Sequence, residues 1–243
     1  MTYESLKLTN NSKVRAYEGH NNTFSLKVGR PEDGGTCPGS TDGPGGCLGV
    51  CYAANLRKLY KNYAKVEDDN TALLKDKTEG ELFEILSNTV LKWLLGGGYK
   101  SPYFRLHTAG DIFSVEYAAA WAKVIKQTPL VHFWVYTRSL FAVPILKDCK
   151  NLTIMLSCDA VNRTEVLAEY NANYKDCKNI AIAYMGDTLV DDKGDRPLLV
   201  CPEITGKLKP GKDACGACLR CRACVDRTLK DGNIRHIRLP IHR

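Results

Sequence analysis

No stretch of the 243-residue sequence approaches the ~18 consecutive apolar residues that a membrane-spanning helix needs, so no α-helical span is expected. The opening residues, MTYESLKLTNNSKVR, lack the apolar stretch of a secretory signal, so the chain is expected to stay where it is made. Low-complexity tails and collagen-like repeats are absent too. With 44% hydrophobic and 25% charged residues, the composition is that of a folded globular protein rather than a disordered one. A strong excess of either charge is also missing. A net charge of +7 is modest for this length, and the basic C-terminal stretch has no interleaved aromatics on which bases could stack, which argues against a nucleic-acid-binding module.

Cysteine, in contrast, is abundant, with 11 in a chain that has no secretory signal. Disulfides are disfavoured in a reducing compartment, a chain this long does not need them, and the odd count leaves at least one thiol unpaired. Metal binding accounts for the excess better. Seven of the 11 fall in two places. Cys37, Cys47 and Cys51 form C-x9-C-x3-C in a Gly/Pro/Asp-rich loop that runs into a helix at Tyr52, where Ala53, Leu56, Tyr60 and Tyr63 share a face. Cys215, Cys218, Cys221 and Cys224 form C-x2-C-x2-C-x2-C, and Cys201, followed by proline, could stand in for one of them. Cys149, Cys158 and Cys177 stand singly and read as core thiols.

Burial alone does not impose a period of three, so the C-terminal quartet points to a metal centre. Three short, equal spacings leave little backbone slack for a tetrahedron around one zinc ion, whereas the anchor points of a [4Fe–4S] cluster are spread wider. An iron–sulfur cluster is therefore favoured, with zinc as the alternative metal. Three cysteines in the N-terminal loop would leave one iron of such a cluster open to a small molecule, and if the two groups meet in space they could share one cluster.

Between the two groups the chain alternates. Residues 23–29 read as a short strand and residues 79–95 as a helix whose capping box is Thr78 with Glu81, and whose buried stripe is Leu82, Ile85, Leu86, Val90 and Trp93. Strands follow at residues 103–107, 131–137, 152–157, 180–185 and 197–201, with helices between them, one starting after Ser114 as N-cap, another around 141–147, and a third at 163–174; a final strand is placed at 234–239. Apolar strands separated by helices imply a mostly parallel α/β sheet. The strands run out into HTAGD, TRS, SCDA and MGD, loops that converge on one rim in such folds, where ligands bind. Arg105 and His107 alternate on one strand and so should point to the same side, with Arg105 meeting Asp111, Asp159 or a bound anion. Arg138 is placed to take a carboxylate or phosphate. The expected organisation is an α/β domain over 1–205 with a cysteine-rich, basic extension over 206–243 packed on it; residues 212–243 alone carry eight Lys/Arg against three Asp.

These pieces together, CPGSTDGPGGCLGVCYA, RLHTAGDIFS with its following helix, FWVYTRS and the clustered C-terminal cysteines, resemble the bacteriophage gene product 88 family over residues 30–225. More distantly, three cysteines ending in Cys-Tyr-Ala ahead of a helix are similar to the cluster loop of radical SAM enzymes, although that family uses the tighter spacing C-x3-C-x2-C. The resemblance implies a partial or complete (β/α) barrel, a [4Fe–4S] cluster on Cys37, Cys47 and Cys51, and S-adenosylmethionine on the open iron. Ala109-Gly110-Asp111 stands where that family has Gly-Gly-Glu, so Gly110 would let a ligand approach and Asp111 would receive its ammonium. The expectation is a phage-encoded iron–sulfur protein of the host cytoplasm, radical or redox in chemistry and acting on a small molecule or a redox partner. A non-enzymatic electron carrier or redox sensor is the alternative, and a zinc-binding protein that meets nucleic acid the second. No residue reads as a catalytic acid, base or hydrogen-atom donor.

Overall fold

A computed structural model describes residues 3–15, 17, 20–186, 198–209, 215–226, 228 and 230–240. Pro197, where the fifth expected strand begins, and Lys212, Arg227 and Arg243 of the basic stretch lie outside the described residues. Six parallel strands form one sheet in the order β1-β2-β3-β4-β6-β5: β1 (Tyr103–Arg105), β2 (His132–Thr137), β3 (Leu152–Cys158), β4 (Ile180–Met185), β5 (Leu198–Val200) and β6 (His236–Leu239). The expected strand at residues 23–29 forms only isolated bridges.

Three helices precede the sheet: α1 (Tyr52–Leu59), α2 (Lys61–Leu74) and α3 (Glu79–Leu95). The single stripe expected after Tyr52 breaks at Tyr60, whose extended backbone (φ −121°, ψ 97°) ends α1, starts α2 and leaves its ring exposed. On α3 the Thr78–Glu81 capping box is present and all five stripe residues are buried. Then α4 (Val115–Gln127, capped by Ser114 accepting from the Tyr117 amide), α5 (Val143–Leu146) and α6 (Arg163–Asn173) connect β1 to β2, β2 to β3 and β3 to β4.

Because β1 to β4 are laid side by side in chain order, right-handed crossovers carry all three connecting helices to the same face. That face holds the main core, where Phe104, Phe133, Ile154 and Ile182 meet Leu86 and Trp121. Cys149 and Cys158 are buried there and Cys177 packs on it, as core thiols. Strand alternation sends Trp134, Tyr136, Met155 and Ala183 to the opposite face. The helices that connect β1 to β4 do not reach that face. It is covered by Val14 and by a short helix, α7 (Ala217–Cys221), with the cysteines around it.

Closure into a barrel is not observed. A closed (β/α) barrel takes eight strands, whereas here β1 and β5 lie at opposite edges of six. The outer edge of β1 is taken up by the N-terminal segment: Arg105 N donates to the Asn22 carbonyl, Thr108 N to that of Phe24, and Leu26 N to that of Ala109, each at 2.9 Å.

Arg105 and His107 do not share a side. β1 ends at Arg105, and His107 has φ +26°, so the alternation of an extended strand no longer applies two residues on. The His107 ring packs among Phe24 and Tyr117 on the helix side, whereas the Arg105 guanidinium lies over the Tyr136 ring, 4.9 Å from its centroid, on the other.

Candidate metal centre

The loops after β1, β2 and β3 meet at the C-terminal rim, and Asp187 of the expected MGD loop lies outside the described residues. The Asp111 carboxylate accepts from the Thr137 hydroxyl (2.6 Å) and from the backbone N–H groups of Ile112 and Arg138 (2.7 Å each). Burial pushes the Asp111 carboxyl above its ordinary range, against the pull of those three donors. Asp159 accepts from Arg138 Nη1 (2.7 Å), from the Thr41 hydroxyl (2.5 Å) and from the Val161 N–H (2.8 Å). Desolvation works against its charge, but Thr41 and Arg138 hold its carboxyl below the usual range. Arg138 Nη2 also lies 3.8 Å from the Met185 sulfur. Arg138 therefore spends its charge on Asp159, and Arg105 pairs with neither Asp111 nor Asp159. A cleft of about 400 Å³ beside this rim is lined by Gly39, Ser40, Arg138, Asn162 and Glu165.

Gly110 has φ +81°, and a Cβ there would fall 2.5 Å from Thr36 Oγ1 and 2.6 Å from Leu26 Cβ. The close approach that Gly110 permits is thus to the protein's own N-terminal segment, which leads into the cysteine loop. That loop crosses the rim with Gly39, whose Cβ would meet the Arg138 carbonyl at 2.4 Å. Cys37 N donates to the Gly29 carbonyl (2.8 Å), while Cys47 N donates to Thr41 Oγ1 (2.8 Å) and its sulfur accepts from Thr41 N (3.3 Å). Burial, then the Asp111 charge, with Cys51 and Cys47 adding to them, pushes the Cys37 thiol up to about 12 against one backbone hydrogen bond. Cys51 sits just ahead of α1, and the Tyr52 hydroxyl donates to the Thr108 carbonyl (2.5 Å), tying α1 to the loop after β1.

On the bare face of the sheet, α7 is held by backbone bonds from Gly216 N to the Arg15 carbonyl and from Cys218 N to that of Lys13, both 2.9 Å. Its far end is fixed to β1 and β2: Tyr103 donates to Asp226 (3.0 Å), Asp226 pairs with Arg222, and His132 Nε2 is 2.8 Å from the Val225 carbonyl. Cys201 is placed at the end of β5 by its N–H bond to the Arg238 carbonyl (2.9 Å). Cys201, Cys221 and Cys224 pack with Tyr136 over Met155, Ala183 and Ile237; Cys215, Cys218 and Cys224 pack beside Trp134 and Val14. Burial pushes Cys218 well up and Cys224 to about 11, with Cys224 and Cys201 acting on Cys218, and Cys201 and Cys221 on Cys224. Cys201 thus joins Cys218, Cys221 and Cys224 in one group, although it comes from a separate stretch of the chain.

The donor chemistry of both groups suits an iron–sulfur cluster. Among the described residues, no three His, Cys, Asp or Glu side chains converge as ligands of one metal ion. Burial raises the Tyr52 phenol, with the Arg105 charge working against it. Neither Tyr52 nor Tyr136 was singled out from sequence. For Tyr136 a signal existed, since it alternates with Trp134 and His132 on β2, opposite the apolar Phe133 and Val135.

The gene product 88 family matches residues 4–227. Two curated phage proteins are similar over nearly their whole length: the Gene 88 protein of Mycobacterium phage L5 is 35% identical, covering 91% of this chain and 94% of the relative, and that of Mycobacterium phage D29 is 34% identical with the same coverage. No solved structure matches. The chain belongs to the gene product 88 family.

Proposed function

We propose that this gene product 88 protein binds iron–sulfur clusters at its two thiol groups and carries single electrons between them. The observation that carries this reading is the meeting of Cys201 with Cys218, Cys221 and Cys224 over the sheet face opposite the main core. Those four would hold one cluster. Cys37, Cys47 and Cys51 would hold a second at the rim, leaving one iron open to a small molecule, and a bound cluster would supply one-electron redox chemistry. The one-sided winding from β1 to β4 is what a partial (β/α) barrel of the radical SAM kind would need, and S-adenosylmethionine is the ligand that comparison suggests for the open iron. Asp111 does not favour an ammonium ligand, since three internal donors already use its oxygens. Among the described residues no helix is long and apolar enough to cross a membrane, and the host cytoplasm would provide the reducing conditions these thiols require.

The test is anaerobic purification of the full chain, iron and sulfide analysis, and electron paramagnetic resonance of the reduced protein with and without S-adenosylmethionine. Iron and acid-labile sulfide in equal amounts, with a reducible cluster signal, are expected. Zinc without sulfide overturns the proposal. A cluster signal that S-adenosylmethionine alters extends the function to radical chemistry, and one that ignores it fits electron transfer or sensing.

A further inference from the structure

We propose that Arg105, placed over the Tyr136 ring, is the fixed countercharge of the cluster bound by Cys201, Cys218, Cys221 and Cys224, and that with the Tyr136 hydroxyl it raises the reduction potential of that cluster. The inference rests on the iron–sulfur reading above. A guanidinium stays charged at every accessible pH, and burying it without an anion is costly. The Arg105 side chain leaves β1 toward the cysteine face, its Nε is buried with no hydrogen-bond partner, and among the described residues no carboxylate forms an ion pair with it. Its one described neighbour of complementary character is the Tyr136 ring, a weak partner for a full charge.

Tyr136 in turn belongs to both cysteine-lined patches, packed with Cys201, Cys221 and Cys224 in one and with Cys215, Cys218 and Cys224 in the other, and its hydroxyl pulls the Cys224 thiol down against the burial that raises it. The missing anion for Arg105 is therefore the thiolate-bound centre itself. Each electron added makes such a centre more negative, so a fixed positive charge and a hydrogen bond to a ligating sulfur both favour the reduced form. Arg105 is a positioning and tuning residue, and it acts through Tyr136 and the ligands.

The experiment is an anaerobic redox titration of the full-length holoprotein, followed by electron paramagnetic resonance, on wild type, Arg105→Gln, Arg105→Lys and Tyr136→Phe, each with its iron content measured. The expected result is a more negative potential for the C-terminal cluster in Arg105→Gln, a smaller shift in Arg105→Lys, and a negative shift in Tyr136→Phe, at iron contents near wild type. Should Arg105→Gln not fold, the Tyr136→Phe protein decides, since it keeps the ring under Arg105 and removes only the hydroxyl. Equal iron with unchanged potentials overturns this inference and leaves the iron–sulfur reading standing. A wild-type protein without iron overturns both.

Discussion

His107 shows how one side chain ties this fold to pH. It is buried between Phe24 and Tyr117, with Nε2 unpartnered, and burial followed by the Arg105 charge pulls its imidazole down to about 3. In the unfolded chain it would protonate near ~6.5, so between that value and about 3 unfolding takes up a proton and stability falls as pH falls, by up to ~1.4 kcal/mol per unit. Above pH 6.5 the contribution is fully present. His107→Asn, a residue that tolerates the positive φ, should be less stable at pH 7 but should lose less stability on acidification to pH 4.5, measured by urea unfolding across that range. Among the thiols, Cys201→Ser should lower the iron content of the purified protein, whereas Cys149→Ser, whose sulfur points to the Ala122 carbonyl inside the helix-side core, should leave it unchanged. Cys201 was legible only as a substitute ligand, because its partners lie 17 to 23 residues further on and only the pairing of β5 with β6 brings it to them.

Among the elements, the loops carry the specificity of the rim and the helices mainly support it. The helix starts at Thr78 and Ser114 were readable because capping chemistry is local, and most strands because their apolar runs are short and bounded. The break at Tyr60 was not readable: no glycine or proline marks it, and α1 and α2 separate so that Tyr52 can reach Thr108 while Arg57 pairs with the buried Glu67 (2.8 Å). Gly110 illustrates a residue whose need for absent side-chain volume was legible and whose neighbour was not. Gly110→Ala combines a left-handed φ with a clash against Thr36 and Leu26, and should destabilise the protein by ~2–4 kcal/mol in urea unfolding. Arg138→Met, which strands the Asp159 carboxylate among Thr41 and the β3 loop, should cost ~3–5 kcal/mol in the same measurement.

At the scale of the whole molecule, the two faces of the sheet are stabilised differently. The helix side has a large aromatic and aliphatic core, whereas the cysteine side is closed by Val14, Leu219, Val225 and one five-residue helix. If clusters bridge those cysteines, their binding is part of the folding free energy of that side alone. Removing the metal with a chelator should therefore speed amide hydrogen exchange in residues 215–226 and in the segment that follows β5, and leave α3 and α4 as protected as before.

The place of β6 between β4 and β5 has a consequence for how the protein is made. As the chain emerges from a ribosome, β1 to β4 can assemble in the order of their synthesis, each beside its predecessor. β5 has no edge to join until residues 236–239 appear, some 35 residues later, and until then Cys201 is not held opposite Cys221 and Cys224. The helix-side half of the protein can fold during translation, but the thiol group on the other side cannot form before β6 is in place, so any metal it takes is loaded only after that half has folded.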